Sequence, residues 1–174
     1  PQGWQTVAPS PIPFHTGDYE PQELTISAIE KLIEQFGVAT KRAIEAGYEI
    51  IELHAAHGYL IHQFLSPLSN IRTDSFGGTF DNRIRFLIEI VKRVQQEITS
   101  QSLWVRISAT DWADNGWDLQ QSISLSEMLH KLGVDLIDVS SGGLVTHQKI
   151  TVGPAYQLPF ATAIKENTKN KVAT

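Results

Sequence analysis

Residues 82–143 decide the fold: NRIRFLIEIVKRVQQEITSQSLWVRISATDWADNGWDLQQSISLSEMLHKLGVDLIDVSSGG. Ile84, Leu87, Ile88, Val91, Val94 and Ile98 recur at helical spacing, which predicts an amphipathic helix over about 82–99. Leu103–Ser108 is a short β-rich run and reads as a strand. A loop over Asp111–Gly116 leads into a second helix, about Gln120–Leu132, stopped at Gly133. Leu136–Ser140 is another strand, closing in Ser141-Gly142-Gly143. Strands separated by helices at this spacing specify parallel pairing with helical crossovers.

The same rhythm extends outward. Tyr48–Leu53 reads as a strand, followed by a polar, glycine-containing stretch from about His54 to Gly78. Before it, Ile29, Leu32, Ile33, Phe36, Thr40, Ala43 and Ile44 mark a helix face, with Gly47 as its stop. Ser27-Ala28-Ile29-Glu30 fits a capping box for its start. Pro1, Pro9, Pro11, Pro13 and Pro21 make residues 1–23 an irregular lead-in, because proline removes backbone donors. A weaker helix is expected after Pro159, and Lys171–Thr174 opens a further strand.

Length and composition narrow the class. A complete (β/α)8 barrel needs about 250 residues. The 174 residues here supply about three and a half βα units. The expectation is an α/β chain, an incomplete (β/α)8 TIM barrel: 1–174 within one domain, 1–23 lead-in and 24–174 central βα units. The chain starts at Pro1 rather than Met, which suggests a piece cut at both ends. Lys+Arg 14 against Asp+Glu 19 gives a net charge of −5, so no nucleic-acid partner is expected. There are no cysteines, which removes disulfides and thiolate metal sites. No apolar run reaches membrane-spanning length, and no membrane partner is expected. A cytoplasmic enzyme with a small-molecule substrate is the expectation.

Strand parity locates the site. Leu103, Val105 and Ile107 share one face; Trp104, Arg106 and Ser108 share the other. Ile137 and Val139 oppose Asp138 and Ser140, and Ile51 and Leu53 oppose Glu52 and His54. Parallel strands are usually apolar on both faces. Three polar faces near the C-terminal strand ends therefore point to a ligand site, which barrels and open doubly wound sheets both place there.

His54-Ala-Ala-His57-Gly58-Tyr59 is the densest constellation. Two imidazoles past a strand tip can hold one carbonyl oxygen and stabilise charge developing on it, and a phenol two residues on can donate a proton. The same residues would equally serve as loop solvation and capping. A zinc site from His54, His57 and His62, as in a barrel hydrolase, is a rival, though HxxH lacks the glutamate of HExxH. Arg106 sits inside a strand; it either pairs with Glu52 or Asp138 or anchors an anion or cofactor. Ser140-Ser141-Gly142-Gly143 reads as a tight turn or a close approach to a ligand. Asp111 and Asp114 read as turn residues, and Trp112 and Trp117 as pocket lining or an end cover.

Over thirty consecutive positions, HAAHGYLIHQFLSPLSNIRTDSFGGTFDNRIRF from His54 to Phe86, resemble the long signature of the Old Yellow Enzyme family of FMN-dependent ene-reductases. The VRIS run around Arg106, the DVSSGG run and Val7-Ala8-Pro9-Ser10 also fit that family. The paired histidines resemble its bacterial His-His subgroup. Phe76 stands where the family usually has Tyr.

The resemblance implies FMN as cofactor, NADPH or NADH as reductant, and an enone-type substrate. It implies that His54 and His57 bind the substrate carbonyl, that Tyr59 protonates the α-carbon, and that hydride reaches the β-carbon from reduced FMN. It places Arg106 at the flavin's N1/C2 oxygen edge, with His54 also on the cofactor side. Asn70, Arg72, Asp74, Asn82 and Arg83 are implied to hold the long loop in shape. A homo-oligomeric parent is expected. The isolated piece, without the family's earlier flavin-contacting strands and its phosphate-binding strands seven and eight, is expected to be inactive. A catalytically silent piece that folds only by pairing is the third reading.

Overall fold

The computed structural model describes residues 3–174, so the first two residues of the lead-in lie outside the described residues. Two-residue strands β1 (Val7–Ala8) and β2 (Gln22–Glu23) pair in parallel within that lead-in, which is therefore more ordered than its prolines suggest. There follow α1 (Ile26–Glu45), β3 (Ile50–Ala55), α2 (Leu60–Leu65), α3 (Phe80–Gln95), β4 (Ser102–Ser108), α4 (Leu119–Lys131), β5 (Leu136–Ser140), α5 (Leu158–Asn167) and β6 (Lys171–Ala173). The strands stand in the order β3-β4-β5-β6, every pair parallel. Sequential order without reversal is the winding of a barrel, not of a doubly wound sheet.

Local chemistry explains the boundaries. The cap of α1 lies two residues before the expected one, Ser27. The Thr25 hydroxyl is the cap, accepting from Ala28 N–H at 3.2 Å, so Ser27 lies inside the helix. Gly47, at φ +89°, supplies the left-handed residue that ends it. Thr79 and Asp118 cap α3 and α4 in the same manner. α2 was not expected; its six residues sit between Tyr59 and Ser66, too short for a periodic signal.

Parity holds as read. Ile51, Leu53, Ala55, Leu103, Val105, Ile107, Ile137 and Val139 are buried and join one core with the helices. Against them pack Phe86, Leu87, Ile90, Val91 and Val94 of α3 and Leu125 and Leu129 of α4. Burying each such side chain is worth about 1.5–3 kcal/mol, so this face orients the sheet. The opposite face keeps Glu52, His54, Trp104, Arg106 and Asp138 partly or fully accessible. No helix among the described residues is long and apolar enough to cross a membrane.

Candidate active site

The register brings the polar residues into rows. His54 of β3 lies beside Arg106 of β4, and Arg106 beside Asp138 of β5. One step toward the C-terminal ends, Ser108 lies beside Ser140. Arg106 Nε stands 3.2 Å from Asp138 Oδ2, so Asp138, not Glu52, is its ion-pair partner. That contact lacks hydrogen-bond geometry, and Nε is a buried donor without a hydrogen-bond partner among the described residues. The Arg106 side chain as a whole is 38% exposed.

Past the tip of β3 the chain turns sharply. His57 adopts φ +57° and Gly58 φ +75°. A left-handed non-glycine residue costs about 1–2 kcal/mol and persists only where its surroundings enforce it. Here they do. His57 N–H donates to Ser108 Oγ at 3.0 Å, and Ser108 Oγ donates to Gly142 O at 2.8 Å. Gln63 Nε2 donates to Gly58 O at 2.7 Å. The turn also packs backbone against backbone on Gly143: a Cβ at Gly143 would lie 2.7 Å from His57 Cα. Ser141-Gly142-Gly143 is thus a close-approach turn, but its neighbour is the His57 turn.

The turn gathers three rings. The His54 and His57 centroids are 5.1 Å apart, and Tyr59 is 5.3 Å from His54. Tyr59 is 65% exposed, between a cleft of about 890 Å³ and a smaller hollow of about 440 Å³. The larger cleft is lined by His57 and Tyr59, by Phe14 and Tyr19 of the lead-in, and by Val145 and Thr146. The lead-in thereby forms a wall of the site, a role its composition did not signal. His57 Nε2 is 2.6 Å from Ser140 Oγ, whose one hydrogen can go to that nitrogen or to Gln157 Oε1 at 3.2 Å; Ser141 Oγ donates to Gln157 Oε1 at 2.9 Å.

His62 does not join the other two histidines. Gly58 N–H donates to its Nδ1 at 3.0 Å, and Nε2–H donates to Asp111 Oδ1 at 2.9 Å. Both ring nitrogens are engaged and the residue is fully buried, so the three-histidine zinc arrangement does not form. Among the described residues no group of three or more His, Cys, Asp or Glu side chains is placed to hold a metal. Asp111 is not a turn residue at the surface. It is buried and also accepts from Ser66 Oγ at 2.5 Å and Trp117 N–H at 2.7 Å. Trp117 is core, whereas Trp112 stacks edge-on against Phe160.

The signature residues tie the long loop down. Asn70 Nδ2 donates to the carbonyls of Phe64 and Phe76, and Arg83 donates to those of Leu65 and Gly78 and to Gln121 Oε1. Asn82 Nδ2 donates to Asp74 O at 3.4 Å. Arg72 bridges the loop to the lead-in through Pro9, Glu23, Leu24 and Asp74.

Burial, then the Arg106 charge, pushes the His54 and His57 pKa values below the usual imidazole range; Asp138 opposes this. The unfolded chain therefore takes up these protons before the folded one does. Above pH 6.5 neither state is charged at these rings, and the fold keeps its full stability. As pH falls below 6.5 toward the depressed folded values, stability is lost. Urea midpoints measured from pH 7.5 to 5.5 should fall, and a His54→Gln/His57→Gln double variant should flatten that slope.

A singly wound parallel α/β unit with donors gathered at its strand C-termini is an enzyme-type ligand site. The chain belongs to the NADH:flavin oxidoreductase / NADH oxidase family, which it matches over residues 5–174. It is 50% identical over 162 residues to an NADPH dehydrogenase of Bacillus velezensis, covering 93% of this chain and 47% of that protein. It is 48% identical to the NADPH dehydrogenase of Bacillus subtilis, covering 91% of this chain and 46% of that one. The chain thus spans about half the length of the curated relatives it matches. Among solved structures it is similar to a 2-naphthoyl-CoA reductase in complex with 2-naphthoyl-CoA, with TM-score 0.86 and 29% identity over 97% of this chain and 26% of that one. It is also similar to the Old Yellow Enzyme homologue from Zymomonas mobilis, with TM-score 0.78 and 28% identity over 97% of this chain and 50% of the other. The four-stranded unit is an incomplete (β/α)8 barrel of that kind.

Proposed function

We propose that the protein, as part of a longer chain that completes the barrel and is the form used in every activity test below, reduces the C=C bond of α,β-unsaturated carbonyl compounds, with FMN as cofactor and NADPH or NADH as reductant. The observation that carries this reading is the grouping of His54, His57 and Tyr59 at one strand tip, rings 5.1 and 5.3 Å apart, with His54 in the same row as Arg106. The paired histidines, rather than a His-Asn pair, support the His-His subgroup. The relatives named NADPH dehydrogenase favour NADPH. A cytoplasmic, homo-oligomeric parent completes the reading.

The open sheet face fits a flavin. Arg106 offers a fixed fork of donors, with a buried Nε lacking a hydrogen-bond partner among the described residues, and such a fork suits an electron-rich ring edge. Arg106 and His54 would hold the cofactor there. When bound and reduced, FMN supplies the hydride for the β-carbon.

The chain's own residues do the rest. Their depressed pKa values keep His54 and His57 neutral near pH 7, so each offers an N–H without bringing a fixed charge. A Ser140 hydroxyl turned onto His57 Nε2, instead of onto Gln157 Oε1, puts the single His57 hydrogen on Nδ1, and that N–H is the one offered to the carbonyl. Two N–H groups on the carbonyl oxygen stabilise the negative charge that collects there as the β-carbon accepts hydride. Tyr59 O–H then gives a proton to the α-carbon, and solvent restores it. The alkene gains one hydride and one proton.

The test is anaerobic. NADPH should bleach the flavin, and 2-cyclohexen-1-one should restore its colour within the enzyme's turnover time. Restoration by cyclohexanone at the same rate would show that the conjugated C=C is not what the site recognises.

A further inference from the structure

We infer that His62 is a positioning residue that holds the His57–Gly58 turn in its reactive shape through the Gly58 amide. The inference rests on the reading of His57 as a carbonyl-binding group. It starts from the strain at that turn. His57 at φ +57° has no intrinsic reason to stay left-handed, so the tethers around it decide its orientation. One of them comes from a buried side chain that touches neither open face nor cleft: His62 Nδ1, accepting from Gly58 N–H at 3.0 Å.

That acceptor exists in one tautomer only. A backbone N–H can only donate, so Nδ1 must be unprotonated and Nε2 must carry the hydrogen. Asp111 enforces this by accepting from Nε2–H at 2.9 Å. Asp111 is itself fixed by Ser66 Oγ and Trp117 N–H on its other oxygen. A chain of defined donors and acceptors thus runs from the start of the loop before α4, through the middle of α2, to the residue beside His57. The position of α2 explains the short helix: it carries His62 back, one turn on, to face Gly58.

Two substitutions separate the two bonds of the ring. Asn at position 62 keeps an acceptor near the Nδ1 position and loses the donor to Asp111. Gln keeps a donor near Nε2 and loses the acceptor for Gly58. In the flavin-loaded protein, His62→Gln should raise KM for 2-cyclohexen-1-one about tenfold with kcat changed less than about threefold, the scale of one lost hydrogen bond. His62→Asn should leave KM close to that of the unmodified protein, yet melt at a lower temperature than His62→Gln, because Asp111 is left buried with an unpaired oxygen. The two rankings therefore cross. If KM instead rises in step with lost thermal stability, His62 is structural only and the inference fails.

Hydrogen exchange at the Gly58 amide gives a readout independent of turnover. It should quicken in His62→Gln relative to neighbouring amides; exchange as slow as in the unmodified protein overturns the inference, even if His62→Asn does not fold. Should the protein not reduce the enone at all, the proposed function fails, while this exchange measurement still decides whether His62 holds the turn.

Discussion

Replacing Tyr59 with Phe slows alkene reduction about a hundredfold and leaves flavin reduction by NADPH within about twofold, the scale expected when one positioned general acid is removed. The substitution deletes one oxygen. The ring keeps its place beside His54, because that contact, centroids 5.3 Å apart, is made by the aromatic body. The residue's backbone caps α2 without help from its side chain, so the helix is unaffected. Its 65% exposure lets the phenol regain a proton from water between turnovers. Stopped-flow mixing separates the half-reactions: NADPH against oxidised protein, then enone against reduced protein. Equal slowing of both would assign Tyr59 to binding rather than to proton donation.

Replacing Arg72 with Ala destabilises the fold by about 2–4 kcal/mol, the cost of leaving two buried backbone carbonyls without their donor, since both carboxylate partners stay in reach of water. The Arg72 side chain is 4% exposed and all its nitrogens are used. Nη1 donates to Pro9 O at 2.8 Å, Leu24 O at 2.7 Å and Glu23 Oε1 at 3.2 Å. Nε and Nη2 clasp Asp74 at 3.1 and 2.6 Å. The fork holds the Asp74 carboxyl below the usual carboxylate range. Truncation strands two backbone carbonyls and frees the lead-in that walls the cleft. Lysine restores the charge but not the fork, so Arg72→Lys should recover less than half of the loss. Urea denaturation measures both variants. Limited proteolysis should open the chain between Pro9 and Leu24 in Arg72→Ala first; unchanged cleavage there would separate Arg72 from the lead-in.

Much of this architecture is written locally. β5 falls on the expected residues, Leu136–Ser140, and β4 begins one residue early, at Ser102. Both are apolar runs whose parity alone assigns their faces. The ends of α3 shift by two and four residues, because Thr79 caps its start and the helix closes at Gln95, with Gln96 as its C-cap. What sequence hid is long-range. The β1–β2 pairing is two residues long and depends on Arg72, some fifty residues away in sequence. His62 and Asp111 are 49 positions apart, so nothing beside Asp111 distinguishes it from a turn residue. His54, His57 and Tyr59 were legible because their spacing along one strand tip is local. The strained backbone that aims His57 was not, because Ser108 of β4 and Gly143 in the turn after β5 impose it from distant parts of the chain.

The most direct measurement is the identity of the product when NADPH-reduced protein meets 2-cyclohexen-1-one under anaerobic conditions. Cyclohexanone is the expected product, with the proton at its α-carbon drawn from solvent and detectable as one deuterium in D2O. Cyclohexenol, formed by attack on the carbonyl itself, would contradict the role given to His54, His57 and Tyr59, as would reduced flavin that the enone leaves unoxidised.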